Sequence, residues 1–244
     1  MGNYKNGIET KTALYNSARS CFYEKGYFNT SIRDIVDKAN SRLGLFSYHF
    51  ESKEAAAVMV FREYISNVGN TIQEALGSLM DGNDLLLSDM LNYRGYFTGL
   101  LRNENISRFY VELTTTECYL EQNFRYKEYF FQRLCSPQLV LNKHWRNDEM
   151  GHLFISLTAG MEIQMCRDYR NGRIRVPLED ALDAYFDTYY SLLIQSHRLV
   201  EKYVRMTREI MDSIEWNVGP SFEPYIIRGR EEAADNTAAE TPAQ

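Results

Sequence analysis

The sequence has no apolar run long enough to cross a membrane. A membrane-spanning helix needs about 20 consecutive apolar residues, and the 244 residues contain no such run. The first residues, MGNYKNGIETK, also lack the apolar core of a signal peptide. These two absences predict a cytoplasmic protein with no membrane partner.

Cysteine, proline and glycine are all scarce. The four cysteines are scattered among apolar residues and form no CxxC pair, which argues against disulfides and zinc ribbons. With only 5 prolines and 14 glycines, and with apolar residues spaced three or four apart, the chain is predicted to be all-α. His144 and His152 have no second pair to complete a metal site. No Ser/His/Asp or Cys/His spacing is present, so the sequence predicts no enzyme, metal or cofactor.

The net charge of −6 would repel DNA if it were spread evenly. Residues 1–55, however, carry eight Lys and Arg against six Asp and Glu, whereas the remainder carries 19 against 27. A mildly basic N-terminal part attached to an acidic body is compatible with binding to phosphate.

The first 72 residues contain four helical patterns, and the second and third are unusually short. Helices are predicted over about 9–25, 31–38 and 42–48, with a longer one from Ser52 to Ile72. Ser31 and Asp34 have the spacing of a capping box, and Gly26 stands where a helix C-cap belongs. Two short helices separated by a tight turn are typical of a helix-turn-helix that offers its second helix to the DNA major groove.

The rest of the chain is helical in pattern and rich in aromatic residues. Helices are predicted over about 148–169 and, as one continuous rod of roughly 55 Å, over 178–214. A rod of that length suggests a partner outside its own domain. The expected division is a helix-turn-helix domain at 1–52, a helical body at 53–218 and a flexible tail at 219–244, because the tail is polar and Ala-rich.

The N-terminal motifs resemble the DNA-binding domain of the tetracycline-repressor (TetR) family of bacterial regulators. The ordered matches are Gly26-Tyr27, Thr30-Ser31-Ile32, Asp34-Ile35, Ala39, Gly44-Leu45-Phe46-Ser47-Tyr48-His49-Phe50 and Ser52-Lys53-Glu54. The resemblance implies a three-helix DNA-binding domain followed by a helical ligand-binding and dimerisation domain. It implies a homodimer that binds a palindromic double-stranded operator. Asn40-Ser41, Leu43 and Ser47 depart from the family pattern, so a base preference does not carry over.

Within this resemblance, the short helix at 42–48 and the helix starts around it are expected to contact DNA. Arg42 is suited to a guanine edge, Leu45 and Ser47 to bases, and the remaining polar groups to phosphates. The predicted DNA-binding residues are Thr30, Ser31, Arg42, Leu43, Gly44, Leu45, Ser47, Tyr48, His49 and Lys53.

The aromatic body is expected to enclose a small-molecule effector of aromatic or apolar character, as the resemblance implies. An aromatic stripe at helical spacing is also what an ordinary core would show. The candidate ligand residues are Tyr93, Phe97, Tyr110, Thr114, Cys118, Trp145, Met161 and Met165. A Glu at 112, 117 or 162 would favour a cationic effector if its side chain faced inward.

The last two predicted helices are expected to pair with their copies across a two-fold axis. The predicted interface residues are Leu153, Leu157, Gly160, Leu182, Tyr185, Tyr189, Leu192 and Ser196. The leading hypothesis is therefore a ligand-responsive repressor. One alternative is a regulator or interaction protein of the same fold without an effector, and another is an all-α enzyme.

Overall fold

A computed structural model describes residues 2–80, 84–134, 141–145 and 147–228. Within these ranges the chain forms ten α-helices and one two-stranded hairpin, which confirms the all-α class and adds a hairpin to it. The helices are α1 (Gly2–Lys25), α2 (Ile32–Lys38), α3 (Leu43–Phe50), α4 (Lys53–Leu76), α5 (Leu85–Arg102), α6 (Glu104–Leu113), α7 (Glu117–Leu134), α8 (Asp148–Arg170), α9 (Leu178–Leu193) and α10 (His197–Asp212). The strands are β1 (Glu215–Gly219) and β2 (Glu223–Arg228).

Local hydrogen bonds fix the bounds of α2 and the turn that follows it. The Ser31 hydroxyl accepts from the Asp34 N–H, and the Asp34 carboxylate accepts from the Ser31 N–H, so the capping box is present. After α2, Asn40 adopts φ +47°, a left-handed conformation that asparagine tolerates better than most residues. The Ser41 N–H then donates to the Val36 carbonyl over 2.8 Å and closes the turn into α3.

The eight residues of α3 are too few to form a stable helix alone, and packing holds them in place. Phe46 and Phe50 are almost fully buried, at 0% and 3% exposure. Their rings lie 5.4 Å apart, and the Phe50 ring stacks on Tyr15 of α1 at 6.5 Å. We call helices α1–α3 the head and helices α5–α10 the body.

Helix α4 connects the head to the body. The Ser52 hydroxyl accepts from the Ala55 N–H and begins the helix, as predicted. One face of α4 then buries residues from Ala56 through Leu76 against both parts. Helix α4 is continuous over 24 residues and contacts both the head and the body.

The prediction of one rod over 178–214 is wrong. The chain leaves the helix at Ile194, whose backbone is extended and forms a bridge with Leu141. It re-enters a helix after Ser196, whose hydroxyl accepts from the Leu199 N–H. Helix α10 consequently turns back and packs on α9 and α5 within its own subunit.

The prediction of a flexible tail from residue 219 is also wrong for residues 219–228. Strands β1 and β2 pair antiparallel, and the hairpin lies across α1 and α4. Trp216, Val218 and Phe222 are buried beneath it, at 8%, 5% and 1% exposure. The burial of these apolar side chains explains why residues 219–228 form a hairpin with the preceding strand. Residues 229–244 of the predicted tail lie outside the described residues.

A buried arginine joins three helices of the body. Arg94 of α5 is 0% exposed and pairs with Glu179 at 3.2 Å and Asp183 at 2.5 Å, both on α9. The same guanidinium donates to the Val204 carbonyl of α10 over 3.3 Å. These contacts fix α9 and α10 on α5. None of the described helices is both long and apolar enough to span a membrane.

Candidate nucleic-acid interface and internal cavity

One face of α3 points away from the protein. Arg42 begins the helix, and the large apolar side chains of Leu43 and Leu45 are 52% and 40% exposed. Tyr48 is 81% exposed, and nothing approaches Gly44 within 4 Å of the position that a Cβ would occupy. The predicted contacts that share this open face are Arg42, Leu43, Gly44, Leu45, Ser47 and Tyr48.

The composition of this face suits a DNA major groove. Arginine matches the two acceptors of a guanine edge, and leucine offers an apolar contact to a thymine methyl. Tyr48 and the half-buried His49 form an edge-to-face pair at 4.9 Å, at the far end of the helix. Tyrosine hydroxyl and histidine ring N–H groups are donors of the kind that contact phosphate oxygens.

The structure contradicts two of the predicted DNA contacts. Thr30 is 1% exposed, and its hydroxyl donates to the carbonyls of Cys21 and Gly26. Lys53 donates its ammonium to the carbonyls of Tyr27 and Thr30, each over 3.0 Å, and covers the Tyr27 ring. Both residues therefore hold the turn between α1 and α2 together. Ser31 remains at the surface as the cap of α2.

A cavity of about 420 Å³ lies in the body between α4, α5 and α7, with a residue of α8 at its floor. That volume is within the range of small-molecule sites. Aromatic rings and side-chain amides dominate its lining. The lining residues are Val58, Phe61, Arg62, Ile65, Ser66, Gly69, Asn70, Gln73, Asp89, Asn92, Tyr93, Tyr96, Tyr119, Gln122, Asn123, Tyr126, Lys127, Phe130 and Glu162.

Of the predicted ligand residues, only Tyr93 lines this cavity. Phe97 and Tyr110 are 0% exposed core residues, and Trp145 donates its indole N–H to the Leu192 carbonyl over 2.6 Å. The Thr114 hydroxyl donates to the Val111 carbonyl after the end of α6. The remaining candidates, Cys118, Met161 and Met165, are partly buried against the hydrophobic core. These seven residues therefore lie outside the lining of this cavity.

A buried ion pair forms the cavity floor. Lys127 of α7 and Glu162 of α8 are 2.6 Å apart and 5% and 3% exposed. Glu162 also accepts from the hydroxyls of Tyr96 and Tyr110, each over 3.1 Å. Glu162 faces inward as the sequence analysis required for a cationic effector, but three donors already satisfy its carboxylate. The sequence does not predict a role for Lys127. The available signal is that Lys127 and Arg125 are the two cations within the aromatic segment from Phe124 to Phe131.

A second carboxylate, Asp89 of α5, lines the cavity without a cationic partner among the described residues. It is 8% exposed and accepts one hydrogen bond, from the Tyr190 hydroxyl over 2.6 Å. Burial raises the pKa of Asp89 to about 6, although the Tyr190 hydroxyl, Lys127 and Arg133 act in the opposite direction. The sequence analysis does not include Asp89 among the candidate ligand residues. The signal for it is an acidic residue within the apolar helical segment LLLSDML.

Asp89→Asn should stabilise the protein by about 3 kcal/mol at pH 7 and by almost nothing below pH 4. Between the unfolded pKa of 3.8 and the folded pKa of about 6, the folded state holds a proton that the unfolded chain releases. The stability of the native protein therefore falls as pH rises through that window. The amide removes this loss and still accepts from Tyr190.

Urea unfolding from pH 4 to pH 8 would measure the difference between Asp89→Asn and the native protein. Asp187→Asn is the matched control, since that carboxylate is 43% exposed on α9. A difference between Asp89→Asn and the native protein that stays constant across the pH range would contradict the assignment.

The predicted dimer residues fall into two groups. Leu153, Leu157 and Leu192 are 45%, 57% and 41% exposed, and Gly160 and Ser196 are exposed beside them. Leu182, Tyr185 and Tyr189 are instead 0%, 5% and 8% exposed within the core of one subunit. Those three predictions are contradicted, because Tyr185 packs against Phe97 of α5, and Tyr189 packs against Tyr93 of α5 and Phe154 of α8. Among the described residues, no group of three His, Cys, Asp or Glu is placed to hold a metal.

The sequence model described as "Bacterial regulatory proteins, tetR family" matches residues 14–63, which comprise the C-terminal half of α1, all of α2 and α3, and the start of α4. Residues 14–63 therefore match the N-terminal domain of the TetR family. The structure around that domain, a helical body joined through α4, agrees with the fold of this family.

Curated relatives match through a limited part of the chain. The HTH-type transcriptional repressor DhaR of Mycobacterium sp. (strain GP1) is 29% identical over 106 residues, which are 41% of this chain and 50% of DhaR. The HTH-type transcriptional repressor KstR2 of Rhodococcus jostii (strain RHA1) is 30% identical over 76 residues, which are 31% of this chain and 37% of KstR2. The chain thus spans half or less of the length of these two relatives.

Solved structures resemble the chain over more of its length. TylP, a TetR regulator from Streptomyces fradiae, aligns with a TM-score of 0.53 at 16% identity, over 87% of this chain and 95% of TylP. A TetR-family transcription regulator from Shewanella sp. PV-4 aligns with a TM-score of 0.51 at 16% identity, over 76% and 98% of the two chains. At such identities the likeness establishes the TetR fold of the body.

Proposed function

We propose that this protein is a homodimeric, DNA-binding transcriptional regulator, most simply a repressor, that a small molecule releases from a palindromic operator. The observation that carries the proposal is the outward face of α3, with Arg42, Leu43 and Tyr48 exposed on a helix that Phe46 and Phe50 anchor. The TetR family match over the same residues supports it. The proposed division places DNA binding in residues 1–52 and the effector and dimer functions in residues 53–218, which include α4.

The exposed apolar residues on α8 and α9 support a dimer through these helices. Leu153 and Leu157 of α8 and Leu192 of α9 are large apolar side chains left open in a single subunit. Gly160 has no neighbour within 4 Å of a Cβ position, so another backbone can approach it closely. A two-fold axis there would present two copies of α3 to successive major grooves, about 34–36 Å apart.

The cavity supports release by a small molecule, because α4 forms one of its walls. Val58, Ile65 and Gln73 place lining contacts along most of that helix, and α4 begins three residues after α3 ends. A ligand that fits better when α4 is displaced would change the separation of the two α3 helices. It releases DNA only to the extent that it prefers the displaced state.

Selection of bound sequences from random double-stranded DNA, with the full chain, tests the proposal. A selected palindrome with half-sites centred one helical turn apart would support a dimeric reader. Recovery of no preferred sequence at moderate salt would contradict DNA reading. A single unpaired half-site would contradict the dimer.

Arg42→Ala should weaken binding to the selected operator by about tenfold to a hundredfold and relax preference at one base pair per half-site. Arg33→Ala is the matched control, since Arg33 is exposed on α2 of the same head. It should weaken all sequences alike and reduce the salt dependence of binding. Fluorescence anisotropy with operator and scrambled duplexes measures both, and equal effects of Arg42→Ala on the two duplexes would contradict base reading by Arg42.

A further inference from the structure

The two carboxylates of the cavity differ in how completely they are satisfied. Glu162 accepts from Tyr96, Tyr110 and Lys127, so both of its oxygens are occupied. Asp89 accepts only from Tyr190, through one oxygen. No described group donates to its other oxygen, and no described Lys, Arg or His pairs with it.

Among the lining residues Asp89 is the carboxylate without an ion-pair partner, while Lys127 and, outside the lining, Arg133 act on its charge from a distance. Lys127 and Glu162 neutralise each other at 2.6 Å. The remaining lining cation, Arg62, is exposed on α4, where water screens its charge. Burying a carboxylate without a cation is unfavourable, and a bound positive charge would offset that penalty.

The rings beside Asp89 suit the body of an organic cation. Tyr93, Tyr126 and Phe130 line the same cavity. Burial raises the pKa of Tyr93 and also that of Tyr126, the latter to about 12. The negative charge of Asp89 raises both pKa values further. The faces of such rings attract a nearby ammonium group, and their area favours an aromatic or aliphatic skeleton.

We propose that the cavity binds an organic cation, with its protonated amine on the free oxygen of Asp89 and its apolar body against Tyr93, Tyr126 and Phe130. Glu162, by contrast, is a structural carboxylate that Lys127 holds. The proposal rests on the proposed function in one respect, namely that this cavity is the effector site. It places the partner of the positive charge at Asp89, whereas the sequence pattern offered a cationic effector only Glu112, Glu117 or Glu162.

Three probes that share one skeleton test the charge: 4-phenylbenzylamine, 4-biphenylmethanol and biphenyl-4-carboxylate. Isothermal titration calorimetry with the full native chain at pH 7 measures their dissociation constants. The amine should bind at least tenfold more tightly than the alcohol, because an ionic hydrogen bond to a buried carboxylate is stronger than a neutral one. The carboxylate should bind most weakly.

Asp89→Asn should weaken binding of the amine by about tenfold to a hundredfold and change binding of the alcohol by less than threefold. Asp187→Asn, which removes an exposed carboxylate from α9, controls for the change in net charge and should leave all three constants unchanged. Circular dichroism and urea unfolding of each variant verify that it is folded.

Failure of this inference is distinguishable from failure of the proposed function. Three results would each overturn the cation site, whatever the DNA selection shows. The amine and the alcohol could bind the native chain equally, or the amine could bind Asp89→Asn as tightly as the native chain. The amine could also fail to bind at about 1 mM, roughly the weakest affinity worth assigning. Binding of the amine at Asp89 without any loss of operator affinity would leave the cation site standing and overturn the effector role.

Discussion

Phe222→Ala should lower the free energy of unfolding by about 3–5 kcal/mol, the range for removing a buried phenylalanine ring. Phe222 is 1% exposed at the turn of the hairpin. Its ring contacts Tyr23 of α1, Tyr64 of α4 and Phe109 of α6, with ring centroids 5.6, 6.1 and 5.0 Å apart. Truncation leaves a cavity where three helices meet.

Urea unfolding followed by circular dichroism measures the effect of Phe222→Ala. Tyr225→Ala is the matched control, because Tyr225 belongs to the same hairpin but is 48% exposed. That variant should change the free energy of unfolding by about 0.5 kcal/mol or less. Similar losses in the two variants would mean that the hairpin contributes through its backbone pairing rather than through the Phe222 ring.

The same hairpin contributes to the position of the head. Arg19 of α1 pairs with Glu223 of β2 at 2.8 Å, and the amide of Asn103 donates both to the Tyr23 hydroxyl and to the Val218 carbonyl. The C-terminal hairpin therefore contacts the first helix directly. Phe222→Ala should consequently weaken operator binding at temperatures where the protein is still folded, since the orientation of α1 loses a constraint.

The head was predictable because its signals are local. The hydroxyls of Ser31 and Ser52 cap helices within three residues of themselves, and both helix starts agree with the sequence prediction. The inward residues Phe46 and Phe50 lie four apart on one short helix. Thr30 and Lys53 were assigned wrongly because their partners are carbonyls of the α1–α2 turn, which spacing does not reveal.

The body was less predictable because its decisive contacts are distant in sequence. The apolar spacing from 178 to 214 continues unbroken through Ile194, with no Gly or Pro to stop it. The break depends on a bridge to Leu141, more than fifty residues away. The lining of the cavity also depends on contacts that are distant in sequence. Tyr93 lines the cavity, whereas Phe97, one turn later on α5, packs in the core against Tyr185 and Phe186 of α9.

Lys127→Met should destabilise the protein by about 3–5 kcal/mol, because it leaves the buried Glu162 carboxylate without its cation. Burial acts to lower the pKa of Lys127, yet the charge and the hydrogen bond of Glu162 hold that pKa above its ordinary value. The ammonium is therefore charged at neutral pH, and its loss removes a real partner. Adding Glu162→Gln should recover at least about 2 kcal/mol, since the uncompensated charge is then gone.

Arg125→Met is the matched control, two residues earlier on α7. Arg125 also pairs with a glutamate, Glu121, at 2.6 Å, but the two side chains are 67% and 59% exposed. Its replacement should change the free energy of unfolding by less than about 1 kcal/mol. If Lys127→Met with Glu162→Gln remained as unstable as Lys127→Met alone, the loss would arise from packing of the lysine stem. The pair would then have no electrostatic role in holding α7 to α8 beneath the cavity.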